Sequence, residues 1–209
     1  MYSYNGQVEQ DKFVLNMLNF KKDGYFLEIG SQDPIKNNNT YILEKSFYWK
    51  GIMIEIDEKW KKEYEKYRQN SDHKICDALS INFQELLKDS PKNIDYLQID
   101  LEPSNKSTLN LLINLEKIMN IYKFAVVTFE HDIYRGNFHN TLELSREIFK
   151  KNGYILVFYN ISDDLDYDSP FEDWYVHPDL VSNDYIEEVI NKNKNNYKRG
   201  NIVYKKIEY

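Results

Sequence analysis

The stretch from Gly24 to Asp57 limits the possible folds more than any other part of the chain. Gly24-Tyr-Phe-Leu-Glu-Ile-Gly30 is an apolar run that carries an acid and ends on a glycine. A polar turn and a short helical pattern follow, and Gly51-Ile-Met-Ile-Glu55 is a second apolar run ending on an acid. This order predicts a βαβ unit of the kind that holds a nucleotide. Buried parallel strands read as continuous apolar runs. Their C-terminal ends open on a crevice, where a glycine lets the backbone approach a ligand.

The same alternation continues down the chain. Phe13, Val14, Met17, Leu18 and Phe20 have helical spacing within an N-terminal helix over about 8–21. Strands are expected at Tyr25–Ile29, Gly51–Ile56, His73–Cys76, Ile94–Leu101, Phe124–Phe129, Tyr154–Tyr159 and Ile202–Ile207, with helical patterns between them. The acidic, Pro170-containing stretch Asp163–Asp173 reads as a surface loop, and about 161–181 is the candidate lid or acceptor loop. Seven strands with intervening helices predict an α/β fold, a sheet covered on both faces. No repeat or break in composition divides the chain, so 1–209 is expected to be a single domain.

Composition narrows the function classes. A net charge of −7 argues against nucleic-acid binding, which needs a basic face. Cys76 is the only cysteine, so an intrachain disulfide and a cysteine-rich metal site are both excluded. No apolar run reaches membrane-span length and the first residues lack a leader pattern, so a cytoplasmic, soluble protein is expected.

The ligand can be argued from charge. A dinucleotide turn uses three glycines, and here only Gly30 is present, followed by Ser31, Gln32, Asp33 and Pro34. No Gly-Lys-Ser/Thr follows the strand, so a P-loop is absent. Asp33 and Glu28 would repel a pyrophosphate but suit a donor with a sulfonium and an ammonium, such as S-adenosylmethionine. Glu55 is placed to accept from ribose hydroxyls, with Asp57 as a competitor that can instead cap the next helix. Asp77 can accept from an adenine amino group or serve as a turn cap.

Several of these stretches together resemble the FkbM-type S-adenosylmethionine-dependent methyltransferases. They are Gln10-Asp11-Lys12, Gly24 to Gly30, Asn39-Thr40 with Leu43-Glu44, Trp49 to Glu55, and Ile94 to Glu102 followed by Glu130. The resemblance covers about Gln10 to Phe158. It implies a class I methyltransferase (Rossmann-like) fold, a mostly parallel seven-stranded sheet with one reversed strand near the C-terminus. It also implies methyl transfer to an oxygen of a small molecule or glycan, and a non-catalytic donor-binding module of the same fold is the alternative. Glu28 and Gly30 would lie by the methionine part, Glu55 by the ribose, Asp77 by the adenine and Asp100 by the sulfonium. Ser31, Ile56 and Ala78 adjoin these positions and complete the donor set. The chain departs from the pattern at Asp33-Pro34 and Glu102-Pro103, where the family commonly has glycine after the acid.

For the chemistry, Asp100, Glu102, Glu130, His131 and Asp132 fall at neighbouring strand ends. His131 is a candidate general base, with Asp100 and Glu130 as its catalytic partners. Alternatively Asp100, Glu130 and His131 form an oxygen-rich site for Mg²⁺. The bland reading is that these acids only cap or pair with Arg135. His73 and His139 read as structural. Trp174 either covers the acceptor or anchors its loop to the core.

Overall fold

The computed structural model describes residues 3–102, 106–136, 138–163 and 168–209. Pro103 and the acidic positions 164–167 therefore lie outside the described residues.

The strands are β1 (Tyr25–Ile29), β2 (Lys50–Glu55), β3 (Asp72–Ile75), β4 (Asn93–Ile99), β5 (Lys123–Glu130), β6 (Ile155–Ser162), β7 (Pro170–Val176) and β8 (Ile202–Val203). They form one eight-stranded sheet in the order β3-β2-β1-β4-β5-β7-β6-β8. The first five strands pair in parallel, and β7 runs antiparallel to both β5 and β6. Chain order reverses at β1, so the sheet switches direction beside Gly30. In open α/β sheets, ligands bind at such a switch point.

One face of the sheet is covered by α1 (Gln10–Met17), α2 (Tyr41–Phe47), α3 (Lys61–Tyr67) and α7 (Asn183–Asn193). The other carries α4 (Phe83–Leu86), α5 (Ser107–Glu116) and α6 (His139–Lys151). Strand alternation divides the core accordingly: Phe26 and Tyr96 face the first layer, Leu27, Ile29, Leu97 and Ile99 the second. On the first face the strands turn polar toward their C-terminal ends. Glu28 lies opposite Gln98, and Gln98 opposite Thr128, giving a buried polar row across the sheet.

Three sequence expectations are corrected. The N-terminal helix ends at Met17 rather than near residue 21, because Asn19 and Phe20 adopt left-handed backbone (φ 48° and 53°) that a helix cannot contain. The last strand is only Ile202–Val203, followed by a 3₁₀ turn at Tyr204–Lys206. The third concerns Asp163–Asp173. Its C-terminal part belongs to β7, every residue of which is buried, and Pro170 stands at the strand's first position, where a missing N–H costs least. Internal pairing explains how two acids fit there. Glu172 accepts from Gln10 Nε2 (3.1 Å) and Trp174 Nε1 (2.8 Å), while Asp173 receives a two-pronged contact from Arg146 (2.7 and 2.9 Å). Trp174 is fully buried and stacks on Phe13 at 4.7 Å, so it anchors the core and covers no acceptor.

A candidate donor cleft at the strand ends

The C-terminal ends of β1, β2, β3, β4 and β5 border a cleft of about 350 Å³, a size usual for small-molecule sites. Gly30, Glu55, Ile56, Asp77, Ala78, Asp100 and Glu130 line it, all of them expected from the sequence. Gln32, Cys76, Leu101, Ser107 and Arg135 also line it and were not expected. Ser107 could have been anticipated as the first residue of the helix that follows β4.

Gly30 is there by necessity. Its φ is +84°, and a Cβ would stand 1.7 Å from the Asp100 carbonyl oxygen. Only glycine lets the β1 turn pack this close to the β4 end. Glu55 is buried with both oxygens engaged. Oε2 accepts from the Gln32 amide (2.8 Å), and Oε1 accepts from the amides of Ile56 (2.8 Å) and Asp57 (2.9 Å). Asp57 does not line the cleft. It caps the turn at Glu58–Trp60 by accepting from Lys59 N at 3.1 Å. Asp77 caps the turn Ala78–Ser80, accepting from Leu79 N at 2.9 Å, and also lines the cleft. Ile56 is 68 % exposed and presents an apolar surface to the same space.

Glu28 and Ser31 lie beneath the cleft rather than in it. Glu28 is fully buried, accepting from Thr40 Oγ1 (2.7 Å) and Asn38 Nδ2 (3.3 Å), and its Oε1 has no partner. Burial raises its carboxyl to about 7 despite the pull of Arg68 and the two hydrogen bonds. Ser31 shares a hydrogen bond with Tyr64 Oη at 2.8 Å. These two residues shape the β1 turn from below.

Asp100 and Glu130 meet across the cleft and hydrogen-bond to each other. Desolvation, with the charges of Asp100 and Asp132 next to it, holds the Glu130 carboxyl well above the usual carboxylate range. Asp100 is also raised by burial, while its hydrogen bond with Glu130 pulls it back down. Burial and mutual repulsion thus favour a proton shared within the pair, with Glu130 the more strongly raised of the two.

His131 is not brought into this site. It is fully buried, its Nδ1 accepts from the Ile133 amide (3.3 Å), and its Nε2 points at Asp173 Oδ1, 3.4 Å away. Burial would raise the Asp173 carboxyl, but His131 and Arg146 outweigh it and hold the acid well below its ordinary value. The reason His131 turns away is strand alternation, which sends Glu130 and His131 to opposite sides. Among the described residues no group of three or more His, Cys, Asp or Glu side chains is arranged to hold a metal ion, so the expected Mg²⁺ site has no support. His139 is exposed at the start of α6, and His73 packs its ring near Tyr64 (5.4 Å).

No protein-family model and no curated protein sequence matches this chain. Solved structures do. An rRNA methylase from Streptococcus thermophilus aligns with a TM-score of 0.54 at 12 % identity, over 84 % of this chain and 99 % of its own. SMU.1697c from Streptococcus mutans, solved in complex with SAH, aligns with a TM-score of 0.53 at 13 % identity, over 84 % and 99 %. A TehB-like SAM-dependent methyltransferase from Corynebacterium glutamicum aligns with a TM-score of 0.50 at 12 % identity, over 80 % and 86 %. At such identities the likeness is one of fold: the chain has the α/β class I methyltransferase fold, with a mostly parallel sheet and β7 reversed. Among the described residues no helix is long and apolar enough to cross a membrane.

Proposed function

We propose that this chain is an S-adenosylmethionine-dependent methyltransferase of the FkbM type that methylates a hydroxyl of a small molecule or glycan. One observation carries the reading most directly. The cleft at the switch point joins a buried Glu55 carboxylate to the Asp100–Glu130 pair and lacks the further glycines a pyrophosphate turn would need, while Arg135, the one basic residue among its described lining, is held by Asp132 at 2.6 Å.

The lining fits such a donor. Glu55 uses three acceptor positions on backbone amides, and a carboxylate offers about four, which leaves capacity for a ribose hydroxyl. Ile56 and Ala78 supply apolar surface for a purine, with Asp77 at its edge. When bound, the donor supplies a methyl group on a sulfonium, which passes to the acceptor oxygen as the C–S bond breaks and a neutral thioether leaves. Asp100 takes the hydroxyl proton, and Glu130 keeps it oriented by donating to it. Proximity and orientation provide most of the remaining rate.

Calorimetry with S-adenosylhomocysteine tests the donor assignment, with micromolar affinity as the expected outcome. Glu55→Ala should weaken binding by about 1.5–3 kcal/mol, the range for hydrogen bonds to a charged group. A folded protein that does not bind this ligand would overturn the proposal. Binding without methyl transfer to any acceptor would instead leave a non-catalytic donor-binding module.

A further inference from the structure

The donor cleft is shaped from behind as well as lined. Tyr64 is the one buried side chain of α3, and it does not line the cleft. A phenylalanine would fill the same space, so the informative part of this residue is where its hydroxyl goes. The Oη donates to the Gln32 carbonyl oxygen and meets Ser31 Oγ at 2.8 Å. A phenol has one proton, so with that proton on Gln32 the Ser31 hydroxyl is the donor in the second contact. Burial raises the phenol above its ordinary value, which keeps it a donor.

Gln32 is a residue that needs holding. It lines the cleft in left-handed backbone, φ 43°, a conformation that residues with a side chain rarely adopt. Its carbonyl is taken by Tyr64, and its amide donates to Glu55 Oε2 at 2.8 Å. Arg68, one turn beyond Tyr64, donates to the Pro34 carbonyl at 3.2 Å, so the loop after β1 is tied at two points to α3 and its cap. The two oxygens of Glu55 are therefore set in different ways. Oε1 is held by the amides of Ile56 and Asp57, which follow it directly in the chain. Oε2 is held by the loop, and the loop is held by Tyr64.

We infer that Tyr64 is a positioning residue for donor binding, which presets, through the Gln32 backbone, the Glu55 oxygen that meets the ribose. The inference rests on the donor reading above. The hydroxyl does not touch the ligand. It orders a strained turn before the donor arrives, so that less of the contact energy is spent on ordering and more is left as affinity.

Calorimetry on the full chain with S-adenosylhomocysteine tests this. Tyr64→Phe keeps the ring, and Ser31 can turn to the Ile54 carbonyl 3.3 Å away, so no buried donor is stranded. The variant should bind about three- to tenfold more weakly, the worth of one hydrogen bond. Glu55→Ala and the double variant complete a cycle. Without Glu55 the hydroxyl has nothing to position, so Tyr64→Phe should then change affinity by less than about twofold. A merely structural loss would weaken binding by the same factor in both backgrounds. Amide exchange in the unaltered protein is a second measure, and it decides the matter if Tyr64→Phe does not fold: Gln32 should be as protected without ligand as with it. Unchanged affinity in Tyr64→Phe, equal factors in the two backgrounds, or a Gln32 amide protected only when ligand is bound each overturns this inference while the donor reading stands. Failure of the unaltered protein to bind S-adenosylhomocysteine overturns the donor reading, and this inference with it.

Discussion

At the scale of single residues the most unusual feature is how many carboxyls burial holds above their ordinary range. Burial raises Asp11 to about 6 and Glu28 to about 7. Glu172 rises to about 8, through burial first and then the nearby charge of Asp100. In the unfolded chain the same groups ionise near their ordinary values of 3.8 and 4.5. Because the folded state holds the protons more tightly, the stability these groups contribute is complete below about pH 4 and is lost as pH rises through 6 to 8. Asp173 acts in the opposite sense and loses its contribution only in strong acid. The unfolding free energy is therefore expected to fall between pH 5 and 8.5. Glu172→Gln, whose amide oxygen can still accept from Gln10 and Trp174, should flatten that fall by about 2–4 kcal/mol, read from urea melts across the range. A slope unchanged by the substitution would assign the pH dependence to other groups.

At the scale of elements, the βαβ unit around Gly30 depends on an ion pair that lies outside it. Arg68, just past α3, is fully buried and donates through Nε to Glu44 of α2 (2.9 Å), through Nη1 to Asn38 (2.8 Å) and through Nη2 to Thr40 (2.7 Å). Glu44 also accepts from Ser71 Oγ at 2.7 Å. The network links α2, α3 and the turn after β1, and through Thr40 and Asn38 it reaches Glu28. Arg68→Met should cost about 3–5 kcal/mol, because it removes the buried cation that pairs with Glu44 and leaves only the half-exposed Lys45 at 3.3 Å, and Glu44→Met added to it should restore part of that loss. None of this was legible in the sequence, where Arg68 only closes the helical stretch Glu58–Arg68 and nothing marks its partners. The first five strands were legible because parallel strands buried on both faces are apolar throughout. β7 was not, since Glu172 and Asp173 resemble loop residues until their partners Gln10, Trp174 and Arg146 are known. The lining of the strand-end cleft was largely legible: acids and a glycine at strand ends go where the strand goes. His131 was misread for want of one step, the alternation along β5 that sends it away from Glu130.

At the scale of the whole molecule, the strand-end cleft is assembled from five strand ends that lie far apart in sequence, so it exists only when the central sheet is formed. A ligand bound there has nothing equivalent to hold in the unfolded chain. Its binding free energy must therefore appear in full as stability of the fold. At a hundred times its dissociation constant, S-adenosylhomocysteine should add about 2.7 kcal/mol. For a domain of this size that corresponds to a rise in Tm of roughly 5–10 °C. NADH, whose pyrophosphate would meet Glu55, Asp77, Asp100 and Glu102 in the lining, should leave Tm unchanged at the same concentration. The contrast matters more than either number. The fold alone would accept either nucleotide at its switch point, so on the proposed reading it is the acids lining the cleft that must discriminate between them by charge. A Tm that rises equally with NADH would mean that the acidic rim does not select the ligand.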